Sequence, residues 1–277
     1  SEMCIRDSYI ATGYHRLKST CKTTYQSSDS IVEKSVFAYD TERPYNIISK
    51  SSLCSGGAEQ VERTYYSNNT IPDKESLTTS QRSAIQLLTS RNYLTTPVQQ
   101  TMEKKDKRLY SVLRGYSSSL SSGMVVEDQY YCKGTDKYEK RISYNKYDIY
   151  GNPVYINKDG AEKVVYLWGY KGQYLLAEIK GATYEEVKKA LKMDPASMSS
   201  CILPSIPLYL DMIDNLYKAL PSALITSYTY HPLIGISGII SPNKAKTTFE
   251  YNSDSQLIRI KDTEGKTMEE YQYHFRP

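Results

Sequence analysis

Chemistry in a protein needs side chains that hold a proton, a metal or an electron pair at workable spacing, so histidines, cysteines and paired carboxylates come first. The three histidines, His15, His231 and His274, have no Asp, Glu or Cys beside them at metal-ligand spacing, and His231 precedes Pro232 at a strand-to-turn junction, a structural position. The five cysteines, Cys4, Cys21, Cys54, Cys132 and Cys201, are scattered without a C-x-x-C pair. They give no zinc site and no disulfide framework, while a single long-range bridge stays open. There is no G-x-S-x-G elbow, no phosphate-cradling glycine loop and no H-E-x-x-H helix. Glycoside hydrolysis needs two carboxylates facing each other. Glu127-Asp128, Glu185-Glu186 and Glu269-Glu270 are adjacent pairs whose members should point in different directions. The expectation is no catalytic residue, no metal ligand and no cofactor, hence no enzyme.

One segment has the residue types for ligand binding. Tyr166, Trp168 and Tyr170 are two apart, which puts them on one face of a strand, and Tyr174 follows closely. Aromatic rings along a sheet can stack on sugars, and the same spacing also builds a cross-strand ladder that only stabilises the sheet. The ladder is the commoner arrangement, and the carbohydrate-binding module is the alternative reading of the chain.

The aromatic set as a whole is lopsided, with 28 Tyr against 3 Phe and 1 Trp. Phe suits a dry core, whereas the Tyr hydroxyl wants water or a partner, so this composition suits sheets with a wet face. The net charge of +4 is small for 277 residues, and its excess lies between Glu103 and Lys146 with signs interspersed. That is the pattern of solvated strands and turns, and no nucleic-acid partner is expected. No run is long and apolar enough to span a bilayer. The octapeptide Ser1–Ser8 (SEMCIRDS) reads as a non-native, adapter-like leader.

The elements that must position these residues are mainly strands. Short alternating runs rich in Tyr, Val, Ile and Thr recur between Ser35 and His274, bounded by turn residues such as Lys158-Asp159-Gly160, Ser241–Lys244 and Thr263-Glu264-Gly265. Two places break this pattern. Residues near 80–92, with Ala84, Ile85, Leu87 and Leu88, predict a short helix. Residues 183–220 predict a helical hairpin: Thr183 and Glu186 fit a capping box, and Ile206, Leu210, Ile213, Leu216, Tyr217 and Leu220 recur at helical spacing. The organisation read from the sequence is a β-rich region over 9–137 and a second over 138–277 that carries the helical insert.

A repeat runs through the chain. Tyr147-Asp148-Ile149-Tyr150-Gly151-Asn152 is followed by Ile156, nine residues after its Tyr; Tyr251-Asn252 is followed by Ile260 and Tyr39-Asp40 by Ile48 at the same offset. Each copy reads as strand, tight turn, strand, with Asp or Asn bonding its own backbone and Gly permitting positive φ. The pattern resembles the YD repeat of RHS and wall-associated proteins, toxin-complex shells and teneurins. Val165–Tyr170, Ala177–Tyr184, Ala219–Leu224 and Tyr228–Gly235 are similar to the versions in large Bacteroidetes repeat proteins. The copies depart from it at Asn252, at Ser255 and at Arg43-Pro44, where Asp, Gly and Gly are the family residues.

That resemblance implies antiparallel hairpins in an extended or coiled sheet, and a non-catalytic secreted or cell-surface scaffold. In such proteins the sheet forms a shell that encapsulates or presents a toxin or adhesive domain. The partners it implies are the remainder of the same polypeptide and a cell-surface protein or glycan.

Overall fold

The computed structural model describes residues 15–26, 29–53, 57–120, 123–200 and 206–273; the octapeptide Ser1–Ser8 read as adapter-like, with Cys4, and Cys54, Cys201 and His274 lie outside them. Among the described residues sixteen antiparallel strands form one open sheet in which neighbours in sequence are neighbours in space. They are β1 (Ser19–Gln26), β2 (Asp29–Tyr39), β3 (Ile47–Leu53), β4 (Glu59–Tyr66), β5 (Pro97–Lys104), β6 (Lys107–Leu120), β7 (Gly123–Lys133) and β8 (Glu139–Tyr147), then β9 (Pro153–Lys158), β10 (Glu162–Gly169), β11 (Tyr174–Lys180), β12 (Leu224–His231), β13 (Gly235–Ile240), β14 (Lys246–Tyr251), β15 (Leu257–Lys261) and β16 (Thr267–Glu270). Short hairpin connections produce this order everywhere except between β4 and β5 and between β11 and β12, which longer segments join. Helix α1 (Thr79–Ser90) lies between β4 and β5, and α2 (Tyr184–Leu191) and α3 (Ile206–Ala219) lie between β11 and β12. The mainly β expectation with these two helical interruptions holds.

Among the described residues the chain divides into two compact units. One takes residues up to Asp73 with Thr89–Leu113 and Cys132–Lys137, and the other takes Lys74–Leu88, Arg114–Tyr131 and everything from Tyr138 on.

In the first unit β5 sits deep although its sequence is polar, because Gln99 and Thr101 are buried beside Val98. Burying an amide is tolerable only when its groups are paired. Gln99 Nε2 donates to Ser111 Oγ at 3.0 Å and to Asp73, and its Oε1 accepts from the Asp73 N–H at 3.2 Å. Asp73 in turn meets Arg108 at 2.6 Å, and Arg108 Nε reaches the Gly134 carbonyl at 2.8 Å.

The second unit buries its apolar residues between the helices and β10–β12. Val165, Leu167, Ile179 and Ile225 from the strands meet Val187 of α2 and Tyr209, Ile213 and Leu216 of α3. Among the described side chains of α3, Tyr209, Ile213 and Leu216 are buried, and Leu210 and Tyr217 pack partly against the same cluster, as does Leu220 just past the helix end. Tyr209 can occupy the core because its hydroxyl donates to the Leu176 carbonyl at 2.6 Å. Helix α2 starts at the expected capping box, Thr183 with Glu186, and stops where Lys192 turns left-handed at φ 57°. Each fully buried Val, Leu or Ile here contributes about 1.5–3 kcal/mol.

Candidate functional site

The repeat residues converge on hairpin turns. After β8, Asp148 Oδ1 accepts the N–H groups of Tyr150 (2.9 Å) and Asn152 (2.8 Å), and Oδ2 accepts Asn152 Nδ2 (3.0 Å). The Asp148 N–H donates to the Asn152 carbonyl, and the Gly151 N–H returns to the Asp148 carbonyl. Gly151 stands at φ 87°, a conformation that glycine adopts without strain.

After β14 the same turn is built from different residues. Asn252 Oδ1 accepts the N–H groups of Asp254 and Gln256, its own N–H donates to the Gln256 carbonyl, and Ser255 takes φ 61° where the first copy has glycine. Asp262 repeats it after β15 with Gly265 at φ 81°, and no tyrosine precedes it there. Asp40 closes a longer turn, accepting from Glu42 and Arg43 while its N–H donates to the Asn46 carbonyl. Those bonds to backbone N–H groups, that of Arg43 foremost, hold the Asp40 carboxyl below the usual carboxylate range against the desolvation that raises it.

The three tyrosines of the motif, Tyr39, Tyr147 and Tyr251, do a second job that three others share. Tyr39, Tyr66, Tyr147, Tyr230, Tyr251 and Tyr273 each stand close to the end of an even-numbered strand and donate the hydroxyl to a backbone carbonyl in the preceding strand or just before it, at Leu17, Ile47, Val126, Leu175, Ile236 and Leu257 respectively. Each acceptor lies beyond the last paired rung of its hairpin. The hydroxyl thus supplies the donor that the ladder no longer provides. Phe cannot do this, which gives the tyrosine excess a physical cause. Burial raises the pKa of Tyr66, Tyr147, Tyr230 and Tyr251, with Tyr230 pushed up to about 12. Ile156 is buried on β9, and Ile260 is half-buried on β15 opposite Phe249.

The aromatic strip is not one platform. Tyr166 and Trp168 sit on β10, but a bulge falls between Leu167 and Trp168, and β10 ends at Gly169. Tyr170 stands in the turn at φ 51° and packs against the helix-covered core instead of lying beside Trp168. The one-face expectation fails at Tyr170, where a left-handed turn residue past the end of β10 breaks the period of two; the extra residue of the bulge, Leu176, lies on the facing β11. Tyr170 and Tyr174 meet edge-on at 5.1 Å, and Tyr174 contacts Tyr230 at 4.6 Å. Trp168 Nε1 donates to the Pro153 carbonyl at 2.8 Å. Tyr166 is pushed up to about 12, first by burial and then by the Glu178 carboxylate.

Glu127 and Asp128 do not diverge as strand neighbours should. Both accept from Gln81 Nε2, at 2.9 and 3.0 Å. Gln81 is the third residue of a capping box at the start of α1, exchanging bonds with Thr78, and it lies so close over Gly115 that a Cβ there would come within 2.4 Å. Asp128 also accepts Lys140 Nζ at 2.9 Å and Ser143 Oγ at 2.8 Å, and the Lys140 pKa rises chiefly through that hydrogen bond. With these lone pairs engaged, the cluster fastens a helix start to the sheet, a role the pair's sequence spacing does not announce.

Among the described residues no three His, Cys, Asp or Glu side chains group as a metal site. Cys21 is exposed, and Cys132 is buried with its thiol pushed up by desolvation. His231 lies edge-on to Tyr251 at 6.3 Å.

What the residues build is a class: hairpins closed by Asx turns and clamped by tyrosine hydroxyls. No family model matches the chain, and no curated protein matches it. Among solved structures it is similar to the TcdB2-TccC3 crystal structure, at 11% identity and a TM-score of 0.38, covering 90% of this chain and 12% of that one. It is also similar to TcdB2-TccC3 without its hypervariable C-terminal region (11% identity, TM-score 0.34, 83% and 12% covered). The Photorhabdus luminescens Tc holotoxin pore matches at 11% identity, a TM-score of 0.32 and the same coverage. The chain spans about an eighth of those chains, and the likeness is a coarse one of β architecture.

Proposed function

We propose that the chain is a non-catalytic β-scaffold of the YD-repeat kind, secreted or held at the cell surface, as part of a shell that encloses or presents a toxin or adhesive domain. One observation carries this reading. The polar side chains that recur through the chain, Asp148, Asn252 and Asp262 in the turns and the six clamping tyrosines, spend their hydrogen bonds on backbone atoms. Groups used in this way hold a long sheet in register and leave little to turn toward a substrate. Among the described residues no helix is long and apolar enough to cross a membrane.

Proteinase K added to intact cells producing the full chain tests the placement. The scaffold reading expects degradation before lysis, and a chain protected until lysis and recovered with cytosolic proteins would overturn it. The carbohydrate-module alternative asks for a flat aromatic platform. Trp168 has its N–H engaged and Tyr170 lies on the core side, so the geometry lends that alternative little support. Saturable binding on a sugar array that Trp168→Ala abolishes would restore it.

A further inference from the structure

Three consecutive hairpin turns of the second unit lie along one edge of the sheet, because β8 to β13 alternate in direction and each pairs with its neighbour in sequence. The turns are 148–152, 170–173 and 232–234. They are tied together: Asn152 Nδ2 donates to the Gly172 carbonyl at 2.9 Å, and the Leu233 N–H donates to the Tyr174 hydroxyl at 3.1 Å.

Their tips expose apolar side chains. Leu233 is 95% exposed, Ile149 59%, Tyr150 45% and Ile234 44%. Leu233 also stands at φ 66°, where Asn or Gly is the comfortable residue. A large apolar side chain held out at a turn tip, where it packs on almost nothing, is the kind of exposed hydrophobic surface that marks an interaction site.

Two further observations select the partner. Many of the tip amides, those of both Leu233 and Ile234 included, already have acceptors inside the protein: Tyr150 and Asn152 on Asp148 Oδ1, Gly151 on the Asp148 carbonyl, Leu233 on Tyr174 and Ile234 on the His231 carbonyl. A hydrocarbon phase, which offers no hydrogen bonds, demands that. The charged groups of these turns are the exposed Lys171 and the buried Asp148, so no carboxylate faces outward from them.

We propose that this edge docks peripherally on an anionic phospholipid bilayer. Leu233, Ile234 and Ile149 enter the boundary between headgroups and acyl chains, the Tyr150 hydroxyl stays at headgroup level, and Lys171 lies beside a lipid phosphate.

The test is flotation of the full chain with phosphatidylcholine vesicles, with and without phosphatidylglycerol. The parent should float with the anionic vesicles. Leu233→Asn should lower that partitioning at least about tenfold, the scale of one exposed leucine buried. Its thermal midpoint should hold or rise, since Asn tolerates the left-handed turn, so a folding defect is excluded as the cause. Lys171→Glu should weaken binding to the anionic vesicles only. A parent that floats with neither vesicle, or a Leu233→Asn variant that binds as the parent does, overturns the proposal. Concentration-dependent self-association that Leu233→Asn abolishes, without vesicle binding, would also overturn it and assign the tips to a second copy of the chain.

Discussion

Replacing Asp148 by alanine tests how much one turn carboxylate holds. Its side chain gathers three donors at 2.8–3.0 Å and is 3% exposed. Alanine leaves the backbone pair between Asp148 and Asn152 in place but strands the Asn152 N–H in a half-buried position, while the more exposed Tyr150 N–H can turn to water. Hydrogen bonds to a charged group are each worth about 1.5–3 kcal/mol. These three share one carboxylate and one is recoverable from solvent, so the loss should be about 2–3 kcal/mol, roughly 5–10 °C in midpoint. Asn252→Ala removes a neutral amide from the matching but more open turn and should cost about 1 kcal/mol. Urea unfolding of both variants, followed by the fluorescence of the sole tryptophan, Trp168, and by far-ultraviolet circular dichroism, measures the difference. An Asp148→Ala variant within about 0.5 kcal/mol of the parent, or one less damaged than Asn252→Ala, would refute the reasoning.

Three further outcomes follow from the geometry. Tyr230→Phe keeps the ring contact with Tyr174 but leaves the Leu175 carbonyl without its donor, and should cost about 1–2 kcal/mol in urea unfolding, whereas Tyr25→Phe, at an 82% exposed position, should cost nothing measurable. Gly115→Ala puts a methyl 2.4 Å from Gln81 Cδ, which is held by Glu127 and Asp128, so it should cost about 1–3 kcal/mol and loosen α1 in hydrogen exchange. Tyr166 and Tyr230 have folded-state values raised from 10.0 to about 12, so the stability they contribute is whole below pH 10 and is lost as pH rises toward 12; absorbance at the tyrosinate band should rise together with unfolding across that window.

Much of this architecture was legible because turn chemistry and strand period are local. The capping box at Thr183, the Asx turn at Asp148 and the positive φ of Gly151 follow from residue type alone. The turn at Asn252 and Ser255 keeps the same hydrogen bonds despite both substitutions, since what it requires is an acceptor oxygen at one position and a tolerated φ of 61° at another. What stayed hidden depends on partners distant in sequence. Strands β1 and β5 carry polar side chains, and Gln99 of β5 is tolerated in the interior because it finds Asp73 and Ser111. The strip at Tyr166–Tyr174 breaks at Tyr170 because the end of β10 and a left-handed turn residue leave no mark in residue spacing. The convergence of Glu127 and Asp128 was invisible because Gln81, which draws them together, lies on a helix far away in the chain.

Hydrogen exchange on the full chain addresses most directly the claim that tyrosines and Asx residues serve the backbone. The amides of Asn152 and Gln256, bonded to Asp148 and Asn252, should exchange as slowly as the adjoining strands, and Tyr147→Phe and Tyr251→Phe should speed exchange at the open ends of their own hairpins while distant ones keep their protection. Turn amides exchanging at the rate of an unfolded chain beside protected strands, or tyrosine variants without local effect, would contradict it.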